Sequence, residues 1–358
     1  GATTLTGSVT EPILLRYDSL GNEQGQYIGL PYVSFGDKAF YDCSVDEKGK
    51  VYCCSNTLTI PDSLGKFNTF SFNEDASLNW KAYSYDLFFK KDEFIKYQDG
   101  YVYTLGRHNY LGDSTIVIAY KYDTLGNYIW HKEFSTFPEY TREYKLRAFD
   151  IDSQNHLHFI RSLGIITDEE YASLYMSLDE NGEVIDSISD LSSDKFEFID
   201  FVDGALYAEN KDENGQFYKI DKSDGSTIWE SALPEIFNNP NDLLQIRSPR
   251  FYKLDDKVLV LAFTYDSFNS LDYNFPYFTL LDDSTGTVLW DTLINENIFL
   301  PKVHFETPSI YITGQKDWVE GVSVPTAILK KYTILDESGN TLGLSNALLA
   351  KTDITVTI

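Results

Sequence analysis

The chain has 358 residues, with 29 Lys and Arg against 55 Asp and Glu and a formal net charge of −26. A surface this acidic repels phosphate backbones and anionic lipid, which argues against nucleic acid and simple membrane adsorption as partners. Hydrophobic residues make up 42% of the chain, enough for a core, yet the longest aliphatic stretch runs only from Val258 to Phe263. That is far short of the ~20 residues that cross a bilayer, so no transmembrane segment is expected.

With 26 Tyr, 24 Phe and a single Met, Met176, the composition suits pleated, half-buried surfaces better than helices. From the amino end, Ala2 to Thr10 shows neither a basic nor an apolar export region. This reads as a mature form whose signal has been removed, from a secreted, periplasmic or cell-surface protein of a bacterium. Ala2 to Val9 is a predicted strand. LLRYDSLGNEQG (14–25) then introduces a pattern that recurs along the chain: an alternating strand, an acidic or amide residue, a tight turn and a second strand. Copies follow at FSFNEDASLNW (70–80), YKYDTLGNYIW (120–130), YMSLDENGEVID (175–186), YKIDKSDGSTIW (218–229), FTLLDDSTGTVLW (278–290) and YTILDESGNTLG (332–343). Gly21, Gly126, Gly182, Gly225, Gly286 and Gly339 hold the turn position, and Ala76 replaces them in the second copy. Asx at the start of a turn and Gly within it are hairpin chemistry.

A second predicted hairpin precedes each copy but the first, as in AFYDCSVDEKGKVYCC (39–54) and FYKLDDKVLVLAF (251–263). Its later strand starts at Val51, Val102, Leu157, Leu206, Val258 and Ile310, a period that holds without drift. One turn of helix is expected near Asp168 to Tyr175. Repeats of this length mark a propeller or solenoid. The expectation is therefore an all-β protein, a single domain over 1–358: a seven-bladed β-propeller of four-stranded antiparallel blades. Its first blade takes residues 2–33 and is completed by the C-terminal strand, 351–358, which closes the ring and covers a free sheet edge.

The segments YKIDKSDGSTIWES and FTLLDDSTGTVLWDT resemble the quinoprotein-like, or PQQ-repeat, propeller units, in a degenerate form. The resemblance implies that Trp80, Trp130, Trp229 and Trp290 pack between neighbouring blades. Gly25, Asp186 and Gly343 take the Trp position in the other copies. Quinone dehydrogenases of that family carry a disulfide between adjacent cysteines, and Cys53 and Cys54 are adjacent here. The turn Glu47-Lys48-Gly49 instead pairs Val45 with Val51 and sets Cys43 opposite Cys53, as a disulfide or as two core thiols. No calcium set for a quinone is evident, and neither a cofactor nor a metal is expected.

Asp150 to Asn155 reads as a hairpin turn. His156 and His158 share a strand face, with no third ligand apparent, and read as a hydrogen-bonded strand pair. Functional expectation falls on the side carrying the longer loops. Six of the seven arginines lie there: Arg107, Arg142, Arg147, Arg161, Arg247 and Arg250, with Lys302 and His304 nearby and Tyr140, Tyr144 and Trp318 as aromatic companions. Guanidinium groups suit carboxylate, sulfate or phosphate. The expected function is non-catalytic binding of a protein or glycan ligand by a monomer. The alternative is an enzyme on a propeller scaffold, a quinone-dependent dehydrogenase or a polysaccharide lyase.

Overall fold

The computed structural model describes residues 2–6, 9–17, 23–28, 40–59, 64–83, 89–109, 115–135, 142–164, 171–188, 191, 196–210, 216–232, 244–266, 274–294, 298–306, 309–316, 326–335 and 348–354. Among the described residues every regular element is a strand, and no helix is long and apolar enough to cross a membrane. Apolar alternation between short turns yields antiparallel meanders, in which each strand pairs with its neighbours in sequence.

The first sheet has three strands, β1 (Ala2–Thr6), β2 (Val9–Tyr17) and β3 (Glu23–Ile28). The second is β4 (Phe40–Val45), β5 (Val51–Thr59), β6 (Leu64–Phe72) and β7 (Leu78–Tyr83). The third is β8 (Phe89–Gln98), β9 (Tyr101–Asn109), β10 (Thr115–Asp123) and β11 (Tyr128–Ser135). The fourth is β12 (Arg142–Ile151), β13 (Leu157–Gly164), β14 (Tyr171–Leu178) and β15 (Val184–Ile188). The chain divides into two compact units, and these four sheets lie in the first, Gly1–Asp194.

The second unit, Lys195–Ile358, holds the remaining sheets. The fifth is β16 (Phe196–Val202), β17 (Ala205–Asn210), β18 (Phe217–Ile220) and β19 (Thr227–Glu230). The sixth is β20 (Leu244–Leu254), β21 (Lys257–Asp266), β22 (Asn274–Asp282) and β23 (Val288–Leu293). The seventh is β24 (Phe299–Glu306), β25 (Ser309–Lys316), β26 (Thr326–Leu335) and β27 (Leu348–Ile354).

Each unit stacks its sheets face to face, so the inner strands are apolar on both sides. In β21, Val258, Val260 and Ala262 pack with Tyr207, Phe217 and Trp229 of the fifth sheet, while Leu259, Leu261 and Phe263 pack with Ile310, Ile312 and Tyr332 of the seventh. The same alternation sends Cys53 into the layer shared with Leu14 and Tyr27 of the first sheet, and Cys54 into the layer shared with Ile95 and Val102 of the third. A strand covered on both faces reads as a continuous apolar run, as Val258 to Phe263 does.

Two expectations are corrected. The segment expected to form a turn of helix is, from Tyr171, the strand β14, because Tyr171, Ala172, Ser173 and Leu174 pair along β13. The C-terminal strand was expected to complete the first blade. Over its described part it pairs instead with β26, Thr352 opposite Lys331 and Ile354 opposite Leu329. The outer strand of the seventh sheet is thus β27 itself.

One irregularity repeats at a fixed level. The first strand of every four-stranded sheet slips register with the second just before the residue that faces Cys54, Leu105, Ile160, Glu209, Leu261 or Thr313. Counted from Val51, Val102, Leu157, Leu206, Val258 and Ile310, these residues all occupy the same place. Bulges bend the strand and re-aim its side chains.

Candidate functional site

The repeat tryptophans make a joint with the following sheet. The Trp80 indole N–H donates to the Thr124 carbonyl at 3.0 Å, Trp130 to Glu180 at 2.9 Å and Trp229 to Asp283 at 2.7 Å. Each acceptor directly follows the aspartate that opens the turn. In this turn, Asp123 Oδ1 accepts the amides of Leu125 and Asn127, and Asp179 Oδ1 those of Asn181 and Glu183. Each indole covers the turn glycine of the next sheet. A Cβ on Gly126, Gly182 or Gly286 would meet Trp80, Trp130 or Trp229 at 2.7, 3.2 and 2.5 Å. Trp290 packs half-buried against the core shared by the sixth and seventh sheets.

Arg16, the arginine that lies away from the loops, serves the same joint. It stands opposite Gly25, as Lys121 and Lys219 stand opposite Trp130 and Trp229. Its guanidinium donates to the carbonyls of Gly49 and Glu74. Lys121 and Lys219 likewise reach the Glu180 and Asp283 carbonyls at 3.0 and 3.3 Å. The Asp283 carboxylate also takes Tyr207 and the ammonium groups of Lys219 and Lys253. Burial raises its pKa, but these donors outweigh burial and hold it below the usual carboxylate range.

Cys43 lies opposite Cys53, as Val45 lies opposite Val51, and the two cysteines form a disulfide with Cα atoms 4.2 Å apart. Cys54 stays outside the bridge, buried, with its thiol 3.7 Å from the Asp42 carbonyl. The adjacent-cysteine disulfide of the quinone enzymes is therefore not formed.

The loop-side basic residues divide between the units. In the first unit Arg107 and Arg161 are buried near the ends of β9 and β13, and Arg161 donates to the Phe134 carbonyl at 3.2 Å. Arg142 starts β12, whereas Tyr144 and Arg147 fall where β12 slips register and face no partner in β13. In the second unit Arg247 and Arg250 flank the slip in β20, and Lys302 follows the slip in β24, two residues before His304. Arg250 is exposed. Arg147 thus lies within a slip, while Arg250 and Lys302 are each the first paired residue after one. Tyr140 and Trp318 lie outside the described residues.

A third grouping was missed in the sequence. At the β12–β13 turn, Asp152 Oδ1 accepts the amides of Gln154 and His156, and Oδ2 meets His156 Nδ1 and His158 Nε2, each at 3.1 Å. These donor atoms of Asp152, His156 and His158 lie within 4.8 Å of one another. The other nitrogen of His158, Nδ1, is 2.8 Å from the Tyr175 hydroxyl, and the two rings stack. Burial, which holds the Tyr175 phenol up at about 12, keeps it protonated. Burial pushes the Asp152 carboxyl up too, but the His156 amide and the His158 ring outweigh it and hold the carboxyl low. The missing third ligand was the turn-opening aspartate itself. The signal lay in the second sheet, where Asp46, Lys50 and Tyr52 have the same spacing and Tyr52 donates to Asp46 Oδ2 at 3.1 Å.

No family model and no curated protein matches the chain. Among solved structures, the Dos1 propeller superposes with a TM-score of 0.50 at 9% identity, covering 94% of this chain and 76% of that one. The chain is a β-propeller. An endo-arabinase from Bacteroides thetaiotaomicron gives a TM-score of 0.41 at 12% identity, covering 84% of this chain and 96% of that one. A mutant apocarotenoid oxygenase from Synechocystis gives 0.46 at 9% identity, covering 82% and 71%. At such identities the likeness concerns the scaffold, which hosts enzymes and non-enzymes alike. The tryptophan joints lie between successive sheets of this scaffold.

Proposed function

We propose that this propeller is a non-catalytic binding protein of the bacterial cell exterior, secreted or surface-borne, which takes a protein or glycan ligand with anionic groups on its loop side. Each of the seven sheets is one blade in this reading. The observation that carries it is the register slip common to the first strands of the six four-stranded blades. Arg147 falls within the slip of its own sheet, and Arg250 and Lys302 are the first residues paired after the slips of theirs. Guanidinium and ammonium groups there complement carboxylate or sulfate. The Cys43–Cys53 disulfide supports an oxidising compartment.

The test is binding of the full chain to immobilised acidic glycans, neutral glycans and acidic peptides. Replacing Arg147, Arg250 and Trp318 together by Ala is expected to weaken capture by roughly tenfold or more, the loss of the charge-assisted contacts of two guanidinium groups and of one aromatic contact. Unchanged capture removes this site. Quinone-dependent dye reduction, or growth of uronate unsaturation absorbance, would replace binding with the enzymatic reading.

A further inference from the structure

We infer that Asp152, His156 and His158 form a binding site for a divalent transition-metal ion of the zinc class, on the turn between the first two strands of the fourth blade. The inference stands apart from the loop-side reading and uses none of its residues.

The donor set is two imidazoles and one carboxylate, which suits zinc and its first-row neighbours better than calcium or magnesium. The spacing fits as well. Tetrahedral zinc with bonds of about 2.0–2.1 Å separates its ligand atoms by about 3.3 Å, and the structure sets both nitrogens 3.1 Å from Asp152 Oδ2. All three donor atoms lie within 4.8 Å of one another, so side-chain adjustments alone would seat an ion between them.

The surroundings orient the ligands. With the Tyr175 oxygen accepting from His158 Nδ1–H, the lone pair of Nε2 is aimed at the site, and a second hydrogen bond of this kind is the usual support of a ligating histidine. His158 is 2% exposed, so its ring is held by packing, while Asp152 and His156 are only partly covered. That leaves a solvent-side position open for water or an exogenous ligand.

The repeat supplies an internal control. The second blade builds the same turn from Asp46, and there Lys50 and Tyr52 occupy the two imidazole positions. Tyr103 and Tyr207 hold the His158 position in the third and fifth blades, and Tyr207 also donates to an aspartate. In the second blade a tyrosine thus makes the structural bond to the carboxylate of its own turn, whereas Tyr207 reaches Asp283 in the next sheet. Among the four-stranded blades the fourth alone has histidine at both positions, and it uses two of the five histidines in the chain to do so.

The experiment is titration of the chelator-treated full chain with Co²⁺, followed by displacement with Zn²⁺. One Co²⁺ per chain is expected, with the ligand-field band of a four- or five-coordinate ion that Zn²⁺ abolishes. The double variant H156K/H158Y, which copies the second blade, should keep its circular dichroism and bind about 100-fold more weakly. H156K alone, at a partly exposed position, is expected to lose roughly tenfold and remains decisive should the double variant misfold. Affinity weaker than about 1 mM in the unaltered protein, or equal affinity in H156K, overturns the site.

Discussion

At the scale of single residues, the joint between blades explains why certain small residues stand where they do. Gly286 has φ 71°, and an added Cβ would lie 2.5 Å from Cε3 of Trp229. Gly286→Ala therefore meets two penalties, left-handed backbone and overpacking against a ring that is itself fixed. We expect it to destabilise by about 2–4 kcal/mol in urea unfolding. The second blade presents the converse case. Its turn carries Ala76 at φ 62°, and the residue facing it from the first blade is Gly25, not Trp. A Cβ on Gly25 would come within 2.5 Å of the Asp75 carbonyl, so this joint has no room for an indole. Arg16 supplies the missing donor to Glu74. Left-handed strain at alanine is about 1–2 kcal/mol, while one buried methyl contributes about 0.8 kcal/mol. Ala76→Gly is accordingly expected to stabilise by about 0.5 kcal/mol, and a loss of stability would show that packing outweighs strain there.

At the scale of elements, the Cys43–Cys53 disulfide staples β4 to β5 across a short hairpin, its cysteines ten positions apart in sequence. Loop-closure entropy for so small a loop gives about 2–3 kcal/mol, and the Cys43→Ser/Cys53→Ser variant should lose that much, read as a lower urea midpoint at unchanged slope. The same hairpin shows what a sequence reveals readily: a tight turn sets the register, and the register sets which side chains face each other. Tandem copies made the strands legible for the same reason, since one turn chemistry repeats with one spacing. Elements without that support were harder to read. β27 pairs across the stretch 336–347, and no turn signal announces a gap of that length. The part Arg16 plays in the joint is hidden in the sequence because an indole fills that role in other sheets. Asp152 was hidden by its second role, because the aspartate that opens a turn looks structural whether or not its other oxygen meets two imidazoles. The register slips are invisible to alternation counting, although they place Arg147, Arg250 and Lys302.

At the scale of the whole molecule, the net charge of −26 acquires a structural use. Asp282 accepts the hydroxyls of Ser284 and Thr285 and their amides, which hold its carboxyl down at about 2. The Ser223 hydroxyl lowers Asp221, and the Glu183 amide lowers Asp179. Asp123 is lowered by Asn127 and neighbouring amides, which outweigh its burial. Carboxyls that are lower in the folded chain than their unfolded value of about 3.9 contribute stability that is complete above that value. That contribution is lost as pH falls through the folded value, which for Asp282 extends the loss down towards about 2. Charge repulsion acts in the opposite sense. Acidic residues outnumber basic ones, 55 to 29, so the onset of ordinary carboxylate protonation near about pH 5 relieves self-repulsion. Salt at pH 7 does the same by screening, over a Debye length of about 10 Å at 0.1 M. The melting temperature should therefore rise with salt at pH 7, pass a maximum on the mildly acidic side, and fall below pH 4 as the turn aspartates protonate. Asp282→Asn separates the two effects, because it removes one negative charge and also the titration of one turn. Its melting curve should depend less steeply on pH between about 4 and 2 than that of the unaltered chain. An equal slope would mean that acid unfolds the blades elsewhere than at their turns.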